Sequence, residues 1–335
     1  MTIHTARDAD LTDLAADVKA LLVDRGIAAR ESPLDIAPLP GGVSNDVLAV
    51  TGPGTDVVVK RALPKLRVDA DWYASPERLI TEARAIDTAR AILPRHVPPL
   101  LALDTDRQLM VVGRAPRGFG EWKADLLAGQ VNPNVAATLG DLLATLHVGS
   151  GADRAIRTAF ARTNAFRELR VDPFYRWVSA RHDDLASVID STVDRMLATT
   201  TCLVHGDFSP KNILTGANGL WIIDWEVTHV GDPAFDVAFM LAHLVCKARH
   251  TPSLAHEFHS LAEVFLGAYL SHTRHPLPEL DHEHLLRQVG CIALARVDGK
   301  SPASYLSPTA RSEVCQIARQ VLLHPRPTFE LLWRN

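Results

Sequence analysis

The chain has 335 residues, 47% of them hydrophobic and 22% charged, with a formal net charge of −4. That length and apolar content allow two domains or two lobes, each with its own core. The mildly acidic balance argues against a nucleic-acid binder, which needs a clustered positive surface, but not against a protein that holds a single nucleotide with local amides and a Lys.

Leu11, Leu14, Val18, Leu21 and Leu22 recur at helical spacing, with Asp10 or Thr12 able to cap the start and Gly26 to close the end. An amphipathic helix packed on the succeeding part of the chain is expected. The first residues carry acids and no apolar core segment, so they do not read as a signal peptide. Leu34 to Leu39 reads as a strand and Val47 to Val50 as the next. Between them lies Pro40-Gly41-Gly42-Val43-Ser44-Asn45-Asp46. A glycine-rich turn between strands lets backbone amides approach a phosphate, although the same residues also make an ordinary hairpin.

Thr51 to Gly54 is a turn, and Val57-Val58-Val59-Lys60 is an apolar strand ending in a lysine. That ammonium either reaches water or needs a carboxylate partner. Ser75-Pro76 is a helix start, and Glu77 to Ile92 is the helix, with Ile80, Ala83 and Ile86 on one side. Glu77, Glu82 and Asp87 are its candidate partners for Lys60. Two more strands come next, around Leu101 to Leu103 and Leu109 to Val112. Gly113 to Gly118 is rich in turn residues and reads as a hinge.

From Glu121 the pattern turns helical. Asn132-Pro133 opens a helix carrying Leu139, Leu142, Leu143 and Leu146, and His147 reads as a residue of its terminus. Arg170 to Met196 reads as two further helices. Then come a short strand (Cys202 to Val204), a polar loop (His205 to Asn212), a restart at Ile213-Leu214, a turn at Asn218-Gly219 and a return strand to Ile223. This order brings Asp207, Asn212 and Asp224 close together. Mg²⁺ takes hard oxygen ligands, which Asn212 and Asp224 can supply, leaving Asp207 to accept a proton from a hydroxyl.

Asp232 is placed to cap a helix holding Phe235, Val237, Met240 and Leu241, with Asp236 in its first turn. That helix is too short and too interrupted to span a bilayer. The rest reads as helices. Its histidines, His256, His259, His272, His275, His282 and His284, lack the spacing of a His-Glu-x-x-His zinc site and read as solvated faces. Arg296 to Pro302 either borders a substrate pocket or is simply a helix end closed by Gly299. The four cysteines, Cys202, Cys246, Cys291 and Cys315, form no Cys-x-x-Cys pair, so no disulfide framework or zinc ribbon is expected. A soluble cytoplasmic protein is expected, with no membrane or nucleic-acid partner.

His205-Gly206-Asp207, Asn212 five residues on, and an apolar strand ending in Asp224 keep the order of the protein-kinase catalytic loop and its metal-binding Asp. With Gly206 in the middle position, the run resembles the aminoglycoside phosphotransferase and choline kinase group of small-molecule kinases. The resemblance implies a two-lobed protein-kinase-like α+β fold. Residues 1–113 would form a small antiparallel-sheet N-lobe and residues 114–335 a mainly helical C-lobe. It implies an ATP-dependent phosphotransferase acting on a hydroxyl of a small molecule, with Asp207 as the base and Asn212 and Asp224 holding Mg²⁺. Gly42, Ser44 and Asn45 would lie over the nucleotide phosphates, Lys60 steadied by Glu82 would hold them, and backbone around Val112 to Arg114 would meet the adenine. Asp236 would hydrogen-bond the catalytic-loop backbone.

Glu226 adds a carboxylate that either holds a second metal or faces solvent. Lys211 contacts a phosphate or sits on the surface. The Trp122 to Gly129 stretch is similar to one in methylthioribose kinases. A cationic acceptor would call for an acidic pocket, to which Asp281, Glu283 and Asp298 could contribute. Two other classes compete: a catalytically silent kinase-fold nucleotide-binding protein, and a metal hydrolase using the His-rich C-terminal part.

Overall fold

The computed structural model describes residues 2–40, 42–68, 71–272 and 279–334. Gly41 and His275 lie outside the described residues. The chain divides into two compact units, Met1–Asp87 with Pro98–Arg117, and Thr88–Val97 with Gly118–Asn335.

The first unit opens on helix α1 (Thr2–Asp24), which begins before the expected caps at residues 10 to 12. Five antiparallel strands come after it: β1 (Asp35–Pro38), β2 (Asn45–Gly52), β3 (Thr55–Ala62), β4 (Leu100–Asp104) and β5 (Leu109–Gly113), in the order β1-β2-β3-β5-β4. Helix α2 (Arg78–Ile92) is inserted between β3 and β4. The alternation along β2 and β3 puts Leu48, Val50, Val57 and Val59 on one face of the sheet. Leu14, Val18, Leu21 and Leu22 of α1 pack against them in one core with Val111 and Leu109. Five strands and one inserted helix are what the sequence pattern predicts.

The second unit is mainly helical. It holds β6 (Gly120–Glu121), α3 (Trp122–Leu127), α4 (Pro133–Gly151), α5 (Arg154–Ala159) and α6 (Asn164–Phe166). A π-helical segment, Arg167–Arg176, continues α6 into α7 (Trp177–Ser179), and α8 (Ala186–Ala198) comes after it. Short strands β7 (Cys202–Val204), β8 (Ile213–Gly216), β9 (Gly219–Ile222) and β10 (His229–Gly231) are next. The last helices are α9 (Pro233–His250), α10 (Ala255–His272), α11 (His282–Asp298) and α12 (Pro308–Leu323). Helix α9 is buried along almost its whole length, with α10, α11 and α12 packed around it. β8 and β9 form the predicted hairpin, whereas β7 pairs with β10, a partner too short to stand out in the sequence. Arg170 to Met196 is therefore less regular than two plain helices. The backbone N–H of Ile222 donates to the His96 carbonyl (2.7 Å), which ties the 88–97 segment to β9.

No helix among the described residues is long and apolar enough to cross a membrane. All four cysteines are free thiols.

Candidate active site

The helical unit builds its catalytic-loop candidate around Asp236, which is wholly buried at the start of α9. Its carboxylate accepts the backbone N–H groups of His205 (2.7 Å) and Gly206 (2.8 Å), and the Nε2–H of His147 (3.3 Å). Burial alone would raise its pKa. The hydrogen bond from His147, with the nearby His205 ring and the Gly206 amide, outweighs burial and leaves it below the ordinary carboxylate value. His147 lies near the end of α4, as the sequence suggests, and its ring is turned into the core. It is buried in α4, accepts the Tyr269 hydroxyl at Nδ1 (3.0 Å) and passes the constraint on to Asp236.

His205 is buried as well, and burial lowers its pKa against the pull of Asp236, Asp207 and Asp224. Its neutral ring accepts the Asp207 N–H at Nδ1 and donates from Nε2 to the Ile223 carbonyl (both 3.1 Å). Gly206 has φ +80, and a Cβ there would stand 2.8 Å from the Val227 carbonyl oxygen. That position takes glycine for both reasons.

Asp207 and Asn212 are together. The Asn212 amide donates to Asp207 Oδ2 (2.6 Å) and to the Asp207 carbonyl (3.0 Å). The Asn212 carbonyl accepts the Ile223 N–H (3.0 Å), which joins the loop to the end of β9. One residue on, Asp224 has φ +70, a left-handed conformation uncommon outside glycine and tolerated by Asp. The buried Trp225 donates its indole N–H to the Ile222 carbonyl (3.0 Å), and its ring lies 4.5 Å from that of His205. Glu226 is only 4% exposed, so the solvent-facing reading fails. Carboxylate oxygens of Asp224 and Glu226 come within 4.8 Å of each other, an all-oxygen pair suited to a hard divalent cation. Lys211 is half-buried.

Sequence reasoning missed Arg170. It comes from the π-helical segment, is 7% exposed, and places Nη2 2.8 Å from Asp207 Oδ2. Its Nε donates to the Gly206 carbonyl (2.9 Å), and its guanidinium lies 5.7 Å from the ring centroids of both Phe174 and Phe239. With Asn212 also on Oδ2, that oxygen is held from two sides. No local motif marks this arginine, because its partners are distant in sequence.

In the sheet unit, Lys60 at the end of β3 meets Glu82 of α2 at 2.5 Å, both side chains being buried. Glu77 and Asp87 are exposed. In the glycine-rich loop, a Cβ on Gly42 would stand 2.5 Å from the Asn45 carbonyl oxygen. The Asn45 amide donates to Ser44 Oγ (3.1 Å). Arg78 of α2 donates to the carbonyls of Ser44, Leu63, Ala74 and Ser75, pinning this loop to the helix start. Asp46 pairs with Arg61 and Arg67. Val112 is buried in β5, the Gly113 N–H donates to the Pro99 carbonyl (2.9 Å), and the Arg114 side chain pairs with Asp56 (3.1 Å).

Residues 35–277 match the model of the phosphotransferase enzyme family. The chain belongs to this family. Methylthioribose kinase 2 of Oryza sativa subsp. japonica is 24% identical over 268 residues, 71% of this chain and 63% of the relative. The chain thus spans less than two thirds of that relative's length. Among solved structures, a choline/ethanolamine kinase family protein from Mesorhizobium loti superposes with TM-score 0.52 at 18% identity, covering 95% of this chain and 97% of the other. Amicoumacin kinase hAmiN, in complex with AMP-PNP, Ca²⁺ and Ami, gives TM-score 0.56 at 13% identity, covering 88% and 90%. These likenesses establish the fold as the protein-kinase-like α+β fold of small-molecule kinases.

Two expectations for the C-terminal part change. His284 is buried and holds Asp232 Oδ2 at 2.6 Å, where Gln288 also donates, so it anchors the α9 cap to α11. Asp281, Glu283 and Asp298 each have a local partner, namely Arg195 (2.7 Å), Arg287 (3.2 Å) and His182 (3.0 Å). Gly299 closes α11 by donating to the Ala295 carbonyl (2.9 Å).

Proposed function

We propose that this phosphotransferase-family chain moves the γ-phosphate of ATP to a hydroxyl of a small molecule. The observation that carries the reading is the arrangement at Asp207. Its Oδ2 is tied down by Asn212 and Arg170, and Oδ1 is the oxygen assigned to the acceptor hydroxyl. Asp207 would orient that hydroxyl and take its proton as transfer proceeds. Asn212, Asp224 and Glu226 would hold Mg²⁺, for which their oxygens are the right donors. When bound, the metal would neutralise charge on the nucleotide phosphates. In the sheet unit, Lys60 would grip phosphate oxygens, with Glu82 fixing its ammonium. Gly42, Ser44 and Asn45 would cover the phosphates, and backbone at Val112 and Arg114 would meet the base. Positioning and electrostatics, rather than covalent chemistry, would then supply the rate.

The names of the relatives span several acceptors, and none is carried over to this chain. Among the described residues, no group of three metal-capable side chains includes a His or Cys, so nothing favours a zinc hydrolase. An ATP-consumption screen over sugars, amino sugars, amino alcohols and hydroxy acids tests the proposal. Asp207→Ala should abolish turnover and leave ATP binding largely intact. Unchanged turnover in that variant would sink the assignment of the base.

A further inference from the structure

One group of side chains in the helical unit has no part in the proposed phosphoryl transfer. Lys247 of α9 is 1% exposed. Among the described residues its ammonium reaches the His243 carbonyl at 3.5 Å and the face of Tyr305, 5.5 Å from the ring centroid. One long hydrogen bond and one ring do little for a buried charge, which normally has a carboxylate beside it. The side chains that act most strongly on Lys247 are Cys246, Arg296 and Lys123. Burial, opposed by Cys246 and reinforced by those two cations, brings its pKa down to about 7.

The surroundings repeat the pattern. His243, one helical turn earlier, is pushed well below its ordinary pKa by burial and then by Arg296, Lys247, Lys123 and Arg170, all of them cations. Among the described residues, Arg296 Nε and the Tyr305 hydroxyl are buried with no hydrogen-bond partner. The cluster also adjoins the catalytic loop. The His243 ring is 5.2 Å from that of Phe239, and Phe239 is 5.7 Å from the Arg170 guanidinium that holds Asp207. Lys123 lies on α3, which packs on the Pro210–Asn212 turn. Convergent cations, an unpartnered hydroxyl and an unpartnered guanidinium N–H are the donors an oxyanion accepts from.

We propose that Lys247, Arg296, Lys123 and Tyr305 form an anion-binding subsite, and that the acceptor carries a carboxylate, sulfonate or phosphate group beside the hydroxyl presented to Asp207. The second clause rests on the phosphotransferase reading, whereas the subsite itself does not. Choline-like and other cationic acceptors are disfavoured, because Arg170 offsets the Asp207 charge and the adjoining cluster is positive.

Calorimetric titration of the full chain with sulfate, phosphate, glycerate, glycerol and choline, at constant ionic strength in chloride, tests this. At least one of the three anions should bind at least tenfold tighter than glycerol or choline. Lys247→Met should weaken that anion by tenfold or more, Lys247→Arg should keep most of the affinity, and the same loss should appear when Lys247→Met is added to Lys60→Met, which separates the subsite from the nucleotide-phosphate grip. Lys247→Met should melt no lower than the wild type, because it removes an unsatisfied buried charge, whereas loss of a structural lysine would lower the melting temperature. Tyr305→Phe gives a second reading that keeps the ring, with an expected severalfold loss. Equal binding of neutral and anionic probes, a preference for choline, or anion affinity untouched by Lys247→Met would overturn the subsite. Anion binding intact in Asp207→Asn, alongside a wild type that phosphorylates no hydroxyl compound, would instead overturn the phosphotransferase reading and leave the subsite standing.

Discussion

Asp207 shows what a side chain gains from being held on one oxygen. Both Asn212 and Arg170 address Oδ2, at 2.6 and 2.8 Å, which fixes the rotation of the carboxylate and leaves Oδ1 as the reacting atom in the proposed mechanism. Arg170→Met should therefore lower kcat by about tenfold to a hundredfold, the range expected for a small misplacement of a reacting group. The KM for ATP should hold, because in the proposed mechanism Arg170 acts on Asp207 and not on the nucleotide, and Arg170→Lys should recover part of the loss. A fall confined to the ATP KM would contradict that role. Gly206 carries a second residue-scale expectation. A methyl group there meets the Val227 carbonyl at φ +80, so Gly206→Ala should cost on the order of 1–3 kcal/mol in denaturant unfolding, beyond any effect on activity. The proximity of Asp207, Asn212 and Asp224 is legible because their spacing is local, whereas the local pattern does not choose between metal and solvent for Glu226. Arg170 and His147 are not legible, since their roles depend on partners brought near only by folding, and a His at a helix end looks the same whether it is buried or solvated.

At the scale of elements, the legible parts are those whose periodicity runs long enough to count. The alternation of β2 and β3 and the Asn132-Pro133 start of α4 lie where the pattern puts them, while α2 begins at Arg78, just after the expected Ser75-Pro76 start. Three-residue β10 and two-residue β6 carry no period, and both are recruited by pairing with β7 and β8. The π-helical segment, with Pro173 inside it, departs from the regular hydrogen-bond ladder that a helical pattern assumes. Helix α1 is legible in its apolar face alone. Leu21 is fully buried between α1 and the sheet, so Leu21→Ala should destabilise the sheet unit by about 2–5 kcal/mol through lost transfer energy and the cavity left behind. Hydrogen exchange in β2 and β3 should rise with it. A loss below about 0.5 kcal/mol, the level typical of a surface substitution, would mean that α1 is not part of the core.

For the whole molecule, the buried titratable groups set the pH range of stability, and their shifts run in consistent directions. His229 is wholly buried, and burial, opposed by the Val227 carbonyl, takes its pKa from 6.5 to about 4. His205 and His243 are shifted the same way. A base whose folded pKa lies below its unfolded value contributes stability that is present above the unfolded pKa and lost as pH falls toward the folded one. Stability should therefore decline from about pH 6.5 downward, with His229 alone accounting for about 3 kcal/mol by pH 4. Asp236, whose pKa is lowered, adds a further loss below its unfolded value of 3.8. On the alkaline side, burial raises Cys246 from 9.0 to about 11 and shifts Cys202 and Cys291 upward as well. Each raised thiol contributes stability that is complete below pH 9 and lost as the unfolded chain ionises above it. Lys247, at about 7 in the fold, moves the optimum upward, because protonating it is easier in the unfolded chain throughout the interval up to 10.5. Melting temperature should accordingly peak at mildly alkaline pH rather than near the sequence pI of 6.4. His229→Phe should flatten the acid limb by about one proton, since Phe keeps a ring against Phe166, 4.0 Å away in the native stack, but cannot titrate. A His229→Phe profile parallel to the wild type between pH 4 and 6.5 would show that some other group drives acid unfolding.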